Sequence, residues 1–214
     1  MEGVLFHKMK ESEMREWMAI NRDKVNHFDG AGDLLLCHAA SNASTSFVAE
    51  LVDRYGADVR KHCGDTFRRR TALHEATSPE TTSVLLERGA DPTAIDEFNM
   101  TPLMYHTRRG CLGCAERLLQ ETGALTTVSM QAGTFDATAL HWTIFMRGNR
   151  LDTTTAQITK LLLVAGADPY IKDWYGHTPL EALRNSHPND HAVTKRLLEE
   201  AMADDGRTFL LHKA

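Results

Sequence analysis

Thr101-Pro102-Leu103-Met104 decides the fold, because versions of this short phrase recur along the chain. The other copies are Thr71-Ala72-Leu73-His74, Thr138-Ala139-Leu140-His141 and Thr178-Pro179-Leu180-Glu181, with a weaker first copy around Leu34-Leu35-Leu36-Cys37-His38-Ala39. The leucines at the third position of the phrase, with Leu36 in the weaker copy, are spaced 37, 30, 37 and 40 residues apart. This spacing scatters around the period of about 33 residues that is typical of a repeat made of two helices. The sequence therefore predicts a stack of similar repeats.

The residue types within each repeat predict where its helices begin and end. Thr71 can cap a helix N-terminus through its hydroxyl, and the Ala or Pro that follows suits the first helical turn. A second apolar run, such as Val84-Leu85-Leu86, predicts a second antiparallel helix. Gly89 is expected to end that helix, because glycine adopts the left-handed conformation at little cost. Gly-Ala-Asp recurs in the same phase at Gly56, Gly89 and Gly166.

These phrases resemble those of the ankyrin repeat family, whose signature is Thr-Pro-Leu-His-x-Ala followed by a Leu-Leu pair and Gly-Ala-Asp. The resemblance covers residues from about 30 to 201. It implies an all-α solenoid of about five helix-turn-helix repeats joined by finger-like loops. Residues 1–29 are expected to form an N-terminal cap containing a helix from Glu11 to Phe28, and residues 202–214 form a C-terminal tail.

The repeats differ from one another in length, and the differences predict local irregularities. The second repeat is short by three residues, which predicts shortened helices around residues 77–80. The fourth repeat has gained seven residues near Arg147 to Thr155, which predicts a bulge between its two helices. The fingers that follow Gly56 and Gly123 are each three residues longer than the other two.

Composition and charge narrow the class of partner. The chain has 214 residues, of which 42% are hydrophobic, and a formal net charge of -5. No basic stripe is present, so direct binding of nucleic acid is not expected. The sequence shows no signal-peptide core and no apolar run long enough for a membrane span. Four scattered cysteines suit a reducing compartment better than a disulfide framework, and we expect an intracellular protein of the cytoplasm, the nucleus or both.

Few residues carry the signature of a chemical site. Cys111-x-x-Cys114, with His106 nearby, has the ligand types of a zinc or redox site, but the second ligand pair of a structural zinc is missing. We therefore interpret both cysteines as packing residues at the start of a helix, with metal binding or redox sensing as the alternative. His74 and His141 occupy the usual histidine position of the family and are expected to hydrogen-bond neighbouring loops. Any cluster among the other histidines would have to be assembled by the fold.

No nucleophile motif, phosphate loop or phased carboxylate pair is present, so we expect no enzymatic activity and no cofactor. In the ankyrin family the concave face and the fingers bind other proteins. The resemblance therefore implies an interaction module, an adaptor or an inhibitor, that acts as a monomer without contacting a membrane. In size and architecture the chain resembles stand-alone inhibitor proteins of the inhibitor-of-NF-κB type, including viral ones. A structural subunit of a larger complex is the remaining alternative.

The partner-binding residues are predicted from the variable positions of the repeats. Each finger carries an aromatic residue that solubility does not require, and Trp174 and Tyr175 cannot easily both pack inward. His106 and Thr143 replace the small alanine of the phrase and are expected to mark a polar concave surface. The predicted contact residues are Arg68, Arg69, Phe98, Asn99, Phe135, Trp174 and Tyr175 at the finger tips, with His106 and Arg108 facing the groove.

Overall fold

The computed structural model describes residues 4–64, 69–145, 152–186 and 191–203. Within these ranges the regular structure consists of twelve α-helices and two short 3-10 helices, and no β-strand is present. The all-α prediction is therefore confirmed, whereas the number of repeats stays a prediction. The chain divides into an N-terminal unit, Met1–Glu97, and a C-terminal unit, Phe98–Ala214.

The N-terminal unit contains two helix pairs preceded by a separate helix. Its helices are α1 (Glu11–Ile20), α2 (Leu35–Asn42), α3 (Thr45–Asp53), α4 (Ala72–Glu75) and α5 (Pro79–Glu87). Helix α2 packs on α4, and α3 packs on α5. The first helices of the two pairs therefore contact each other, and so do the second helices. The shortening predicted for the second repeat is visible in α4, which has only four residues.

The C-terminal unit continues the same pattern. Its helices are α6 (Pro102–Arg109), α7 (Leu112–Leu119), α8 (Thr122–Thr126), α9 (Ala139–Ile144), α10 (Asp152–Val164), α11 (Pro179–Ser186) and α12 (Ala192–Ala203). Helix α9 packs between α6 and α11, and α10 packs between α7 and α12. The phrase leucines lie in these interfaces: Leu103 and Leu140 are each about 1% exposed. Burying such side chains supplies most of the stability of a helix stack.

The threonines of the phrase cap helices as their position predicts. Thr101 Oγ1 accepts a hydrogen bond from the Met104 N–H, and Thr178 Oγ1 accepts one from the Glu181 N–H. Glu181 returns the contact, because its Oε2 accepts from the Thr178 N–H at 2.8 Å. The Gly89 φ of +85° also agrees with the predicted left-handed end of α5.

The N-terminal cap differs from the predicted single helix over Glu11 to Phe28. Helix α1 ends at Ile20, where the Asn21 side-chain amide donates to the Trp17 carbonyl at 2.9 Å. A 3-10 turn, Arg22–Lys24, then leads to the buried Val25. The prediction was wrong because the helical spacing of apolar residues continues past Asn21. The Asn21 side chain hydrogen-bonds to the backbone of α1 and so favours the end of the helix.

All four cysteines form disulfides, Cys37 with Cys63 and Cys111 with Cys114, so the expectation of unpaired thiols is wrong. The Cα atoms of Cys37 and Cys63 lie 5.7 Å apart although 26 residues separate them in sequence. The Leu34 N–H donates to the Cys63 carbonyl, which holds the start of α2 beside the first long finger. A large separation of cysteines in the sequence therefore does not mean a large distance between them in this fold. The cysteines no longer support the prediction of a reducing compartment.

The seven-residue insertion is described only in part. Residues 146–151 lie outside the described ranges, so the predicted bulge stays a prediction. The following residues, 152–155, form the first turn of α10. The predicted tail, residues 202–214, also lies outside the described ranges from residue 204 onward.

Asp152, the first residue of α10, caps the neighbouring helix α12. Its Oδ2 accepts from the Val193 N–H at 2.8 Å, and its Oδ1 accepts from the Thr194 hydroxyl at 2.7 Å. Burial raises the pKa of Asp152, but these hydrogen bonds outweigh burial and hold its pKa below the usual value of 3.8. The charged carboxylate is therefore the form that joins α10 to α12.

Replacing Asp152 by Asn is expected to lower the free energy of unfolding by about 1–2 kcal/mol at pH 7, because charge-assisted hydrogen bonds are lost. The folded-state pKa is lowered, so this stabilisation is fully present above pH 3.8 and disappears as the pH falls through the lower folded value. Urea unfolding of Asp152→Asn and of the exposed control Asp23→Asn measures the difference. Equal midpoints for parent and Asp152→Asn at pH 7 would contradict the assignment.

Candidate functional site

The finger tips of the C-terminal unit are joined to one another by backbone hydrogen bonds. The Gly133 N–H donates to the Phe98 carbonyl at 2.8 Å, and the Trp174 N–H donates to the Phe135 carbonyl at 2.8 Å. The middle finger closes on itself through reciprocal bonds between Ala132 and Ala137. The three tips therefore form one connected edge of this unit.

Three aromatic side chains of this edge are exposed, and we call Phe135, Trp174 and Tyr175 the aromatic edge. Trp174 is 72% exposed, Tyr175 63% and Phe135 38%. The Phe135 and Tyr175 rings stack with centroids 5.9 Å apart, and the Tyr175 ring also stacks with His177 at 6.4 Å. The expectation that Trp174 and Tyr175 cannot both pack inward is confirmed.

Asp173, which is buried, holds the turn that presents Trp174 and Tyr175. Its Oδ1 accepts from the Tyr175 N–H at 3.0 Å and from the His177 N–H at 2.9 Å. The Gly176 N–H donates to the Asp173 carbonyl, and Gly176 has a φ of +77° that favours glycine. The two exposed rings thus extend from a turn whose backbone is fixed.

His141 connects this turn to the helix behind it. Its Nδ1 accepts from the Thr138 N–H at 3.2 Å, so Nε2 carries the proton and donates to the His177 carbonyl at 3.0 Å. Burial lowers the pKa of His141, which keeps the imidazole neutral at pH 7. The predicted role of this histidine, hydrogen bonding to a neighbouring loop, is confirmed.

The other predicted contact residues of the C-terminal unit differ in exposure. Phe98 is half-buried, and the next residue, Asn99, is exposed with a φ of +59°. The Arg108 guanidinium lies 5.3 Å from the centre of the Trp142 ring. His106 and Thr143 are fully buried, so the prediction that they mark a polar concave surface is wrong. Thr143 donates to the Leu140 carbonyl, and a buried side chain of this kind contacts its own helix rather than a partner.

The first long finger, residues 59–70, carries five Arg or Lys residues and lies in the N-terminal unit; we call it the basic finger. Arg69 is exposed with a φ of +58°, and Arg70 forms an ion pair with Glu75 at 2.6 Å. Arg68 lies outside the described residues.

The structure therefore brings Phe135, Trp174 and Tyr175 together, leaves Arg69 in the other unit, and buries His106. Sequence reasoning missed Asp173 and His177, whose signal was the position of an Asp just before the finger-tip aromatics.

The helix pairs joined by fingers are typical of a helix-pair repeat, and a model of a known family matches part of the chain. Residues 135–174 match the model of the ankyrin repeat. The matched stretch begins at Phe135 and ends at Trp174, so it contains most of the aromatic edge. None of the curated proteins matches the chain.

Ankyrin repeats generally mediate binding between proteins and are typically not enzymes. Among the described residues, no helix is both long and apolar enough to cross a bilayer.

Proposed function

We propose that this protein binds a partner protein through the aromatic edge, Phe135, Trp174 and Tyr175. The observation that carries the proposal is the exposure of two neighbouring large aromatic rings on a turn fixed by Asp173. Trp and Tyr are enriched among the residues that dominate binding energy in protein interfaces. Their rings offer a large contact area with few rotatable bonds.

The fixed backbone of the fingers favours binding without a large conformational change. Hydrogen bonds tie each finger tip to the next, and Asp173 and His141 hold the last one from behind. A surface ordered in advance loses little conformational entropy on association. The protein would then bind with its contact residues already held in position. It would act as an adaptor that joins two proteins or as an inhibitor that covers the surface of one.

Around the aromatic edge, the proposal includes Phe98, Asn99 and Arg108 as neighbouring contacts of the same unit. Arg69 is a separate candidate contact of the N-terminal unit, because it is exposed at a finger tip and carries a charge. We leave His106 out of the proposal, because its side chain is buried.

Affinity capture from cells, quantified by mass spectrometry, tests this proposal. The parent protein, Trp174→Ala, Arg69→Glu and the control Ile20→Ala are compared as bait; Ile20 is an exposed apolar residue of α1. The proposal expects proteins that the parent and Ile20→Ala capture and that Trp174→Ala loses. If Trp174→Ala and Arg69→Glu retain every protein captured by the parent, the finger-tip proposal is wrong.

A second candidate function is redox sensing by Cys111 and Cys114. The pair forms a disulfide at the start of α7, where Cys111 is the residue before the first helical turn. A helix N-terminus stabilises a thiolate and so favours thiol–disulfide exchange. Because both sulfurs are bonded to each other, this arrangement favours the redox form of the hypothesis over the metal-binding form.

Titration with glutathione buffers tests the redox function. A midpoint between about -200 and -300 mV would place the pair within the range of cellular redox buffers. Variant Cys37→Ala/Cys63→Ala isolates the Cys111–Cys114 pair for this measurement. A midpoint well below about -300 mV would mark a purely structural disulfide and remove the redox function.

A further inference from the structure

His7 lies close to Asp33 and His38 in the N-terminal unit, although 26 residues separate it from Asp33 in sequence. One ligand atom from each of the three side chains lies within 4.8 Å of the other two. Asp33 and His38 are buried, whereas His7 is exposed. Among the described residues this is the group whose atoms could together hold a metal ion, and the fold assembles it from three separate segments.

A single carboxylate positions two of these segments. Asp29 Oδ2 accepts from the Phe6 N–H at 2.7 Å, next to His7, and its Oδ1 accepts from the Asp33 N–H at 3.0 Å. The Phe6 side chain is fully buried and packs edge-on against Trp17 at 5.1 Å. The backbone of His7 and that of Asp33 are therefore held in place before any ligand binds.

The third segment is the first turn of α2, which carries His38. His38 Nε2 lies 3.6 Å from Asp33 Oδ2. In a tetrahedral zinc site with bonds of 2.0–2.1 Å, two donor atoms lie roughly 3.4 Å apart. The Asp33–His38 separation thus suits two ligands of one ion.

The His7 ring completes the group from the solvent side. Its centroid lies 5.9 Å from that of His38. Because His7 is exposed, a small rotation of its side chain meets no packed core.

We propose that His7, Asp33 and His38 form a binding site for a divalent transition-metal ion of the zinc class, with water in the fourth position. Two imidazoles and one carboxylate are ligands that zinc accepts, and three protein ligands leave one coordination position open. A bound ion would join the Asp33 carboxylate to both imidazoles. It would fasten the 3-10 turn Phe6–Lys8 to α2, so that metal binding adds to the stability of the N-terminal unit.

Calorimetric titration of the oxidised protein with ZnCl2 tests the site, after thiol titration has shown that no free cysteine competes. We expect one ion per chain for the parent and for the control His27→Gln, which removes another exposed histidine of the same unit. His7→Gln should weaken binding at least about tenfold, since it removes a ligand and not merely a residue supporting one. His7 is exposed, so this variant should retain the fold.

A second readout separates coordination from a general ion effect. Saturating Zn²⁺ should raise Tm of the parent and of His27→Gln, and raise Tm of His7→Gln less. Co²⁺ in place of Zn²⁺ should give the visible spectrum of nitrogen and oxygen ligands. Absence of stoichiometric binding, equal affinity in His7→Gln, or a thiolate-to-cobalt absorption band would each overturn the proposal.

Discussion

Replacing Trp174 by alanine is expected to weaken partner binding by about 2 kcal/mol or more, which is about 30-fold in Kd. The ring is 72% exposed in the free protein and extends from a turn held by Asp173. A partner that covers it would gain a large apolar area without first having to order the turn. Calorimetry with a partner obtained by affinity capture measures the loss.

The loss must come from the missing contact and not from an unfolded variant. Substitution of an exposed side chain away from hydrogen-bond networks usually changes stability by no more than about 0.5 kcal/mol. Tm of Trp174→Ala should therefore stay close to that of the parent. The control Ile20→Ala should bind with the parent's affinity. Unchanged affinity of Trp174→Ala for every captured partner would contradict the prediction.

Reducing the Cys37–Cys63 disulfide is expected to lower the free energy of unfolding by about 3.5 kcal/mol. The bond closes a loop across a sequence separation of 26 residues, and the loss of chain entropy in the unfolded state grows with loop length. The Cys111–Cys114 bond spans a separation of only 3 residues and should contribute less. The longer crosslink also holds the start of α2 beside the basic finger.

Two double variants separate the disulfides. Cys111→Ala/Cys114→Ala retains only the Cys37–Cys63 bond, and Cys37→Ala/Cys63→Ala retains only the other. Each is unfolded with urea before and after reduction, so that the compared proteins differ in the crosslink alone. Reduction should lower the unfolding midpoint more in the first variant than in the second. An equal or smaller shift in the first variant would contradict the account.

Local chemistry explains which features of the fold could be predicted from the sequence. Thr101 and Thr178 cap helices because a hydroxyl at that position reaches a free N–H of the first turn, whatever surrounds it. Leu103 and Leu140 are buried because they recur on one face of successive helices. The difficulty of packing two adjacent large rings inward predicted that one of Trp174 and Tyr175 is exposed, and the structure exposes both.

Contacts between distant segments could not be predicted in the same way. Cys37 reaches Cys63, and His7 reaches His38, only because the finger and the N-terminal segment return to α2. His106 replaces a small alanine, and its burial depends on how neighbouring side chains accommodate the larger ring. Sequence spacing carries no information about such accommodation.

Site-specific crosslinking at residue 175 tests the central claim most directly. A photoreactive phenylalanine analogue in place of Tyr175 keeps an exposed aromatic ring at the edge, and the same analogue in place of Ile20 is the control. With a captured partner at saturating concentration, we predict a crosslink from residue 175 and none from residue 20. A partner that remains bound but crosslinks from residue 20 and not from residue 175 would contradict binding through the aromatic edge.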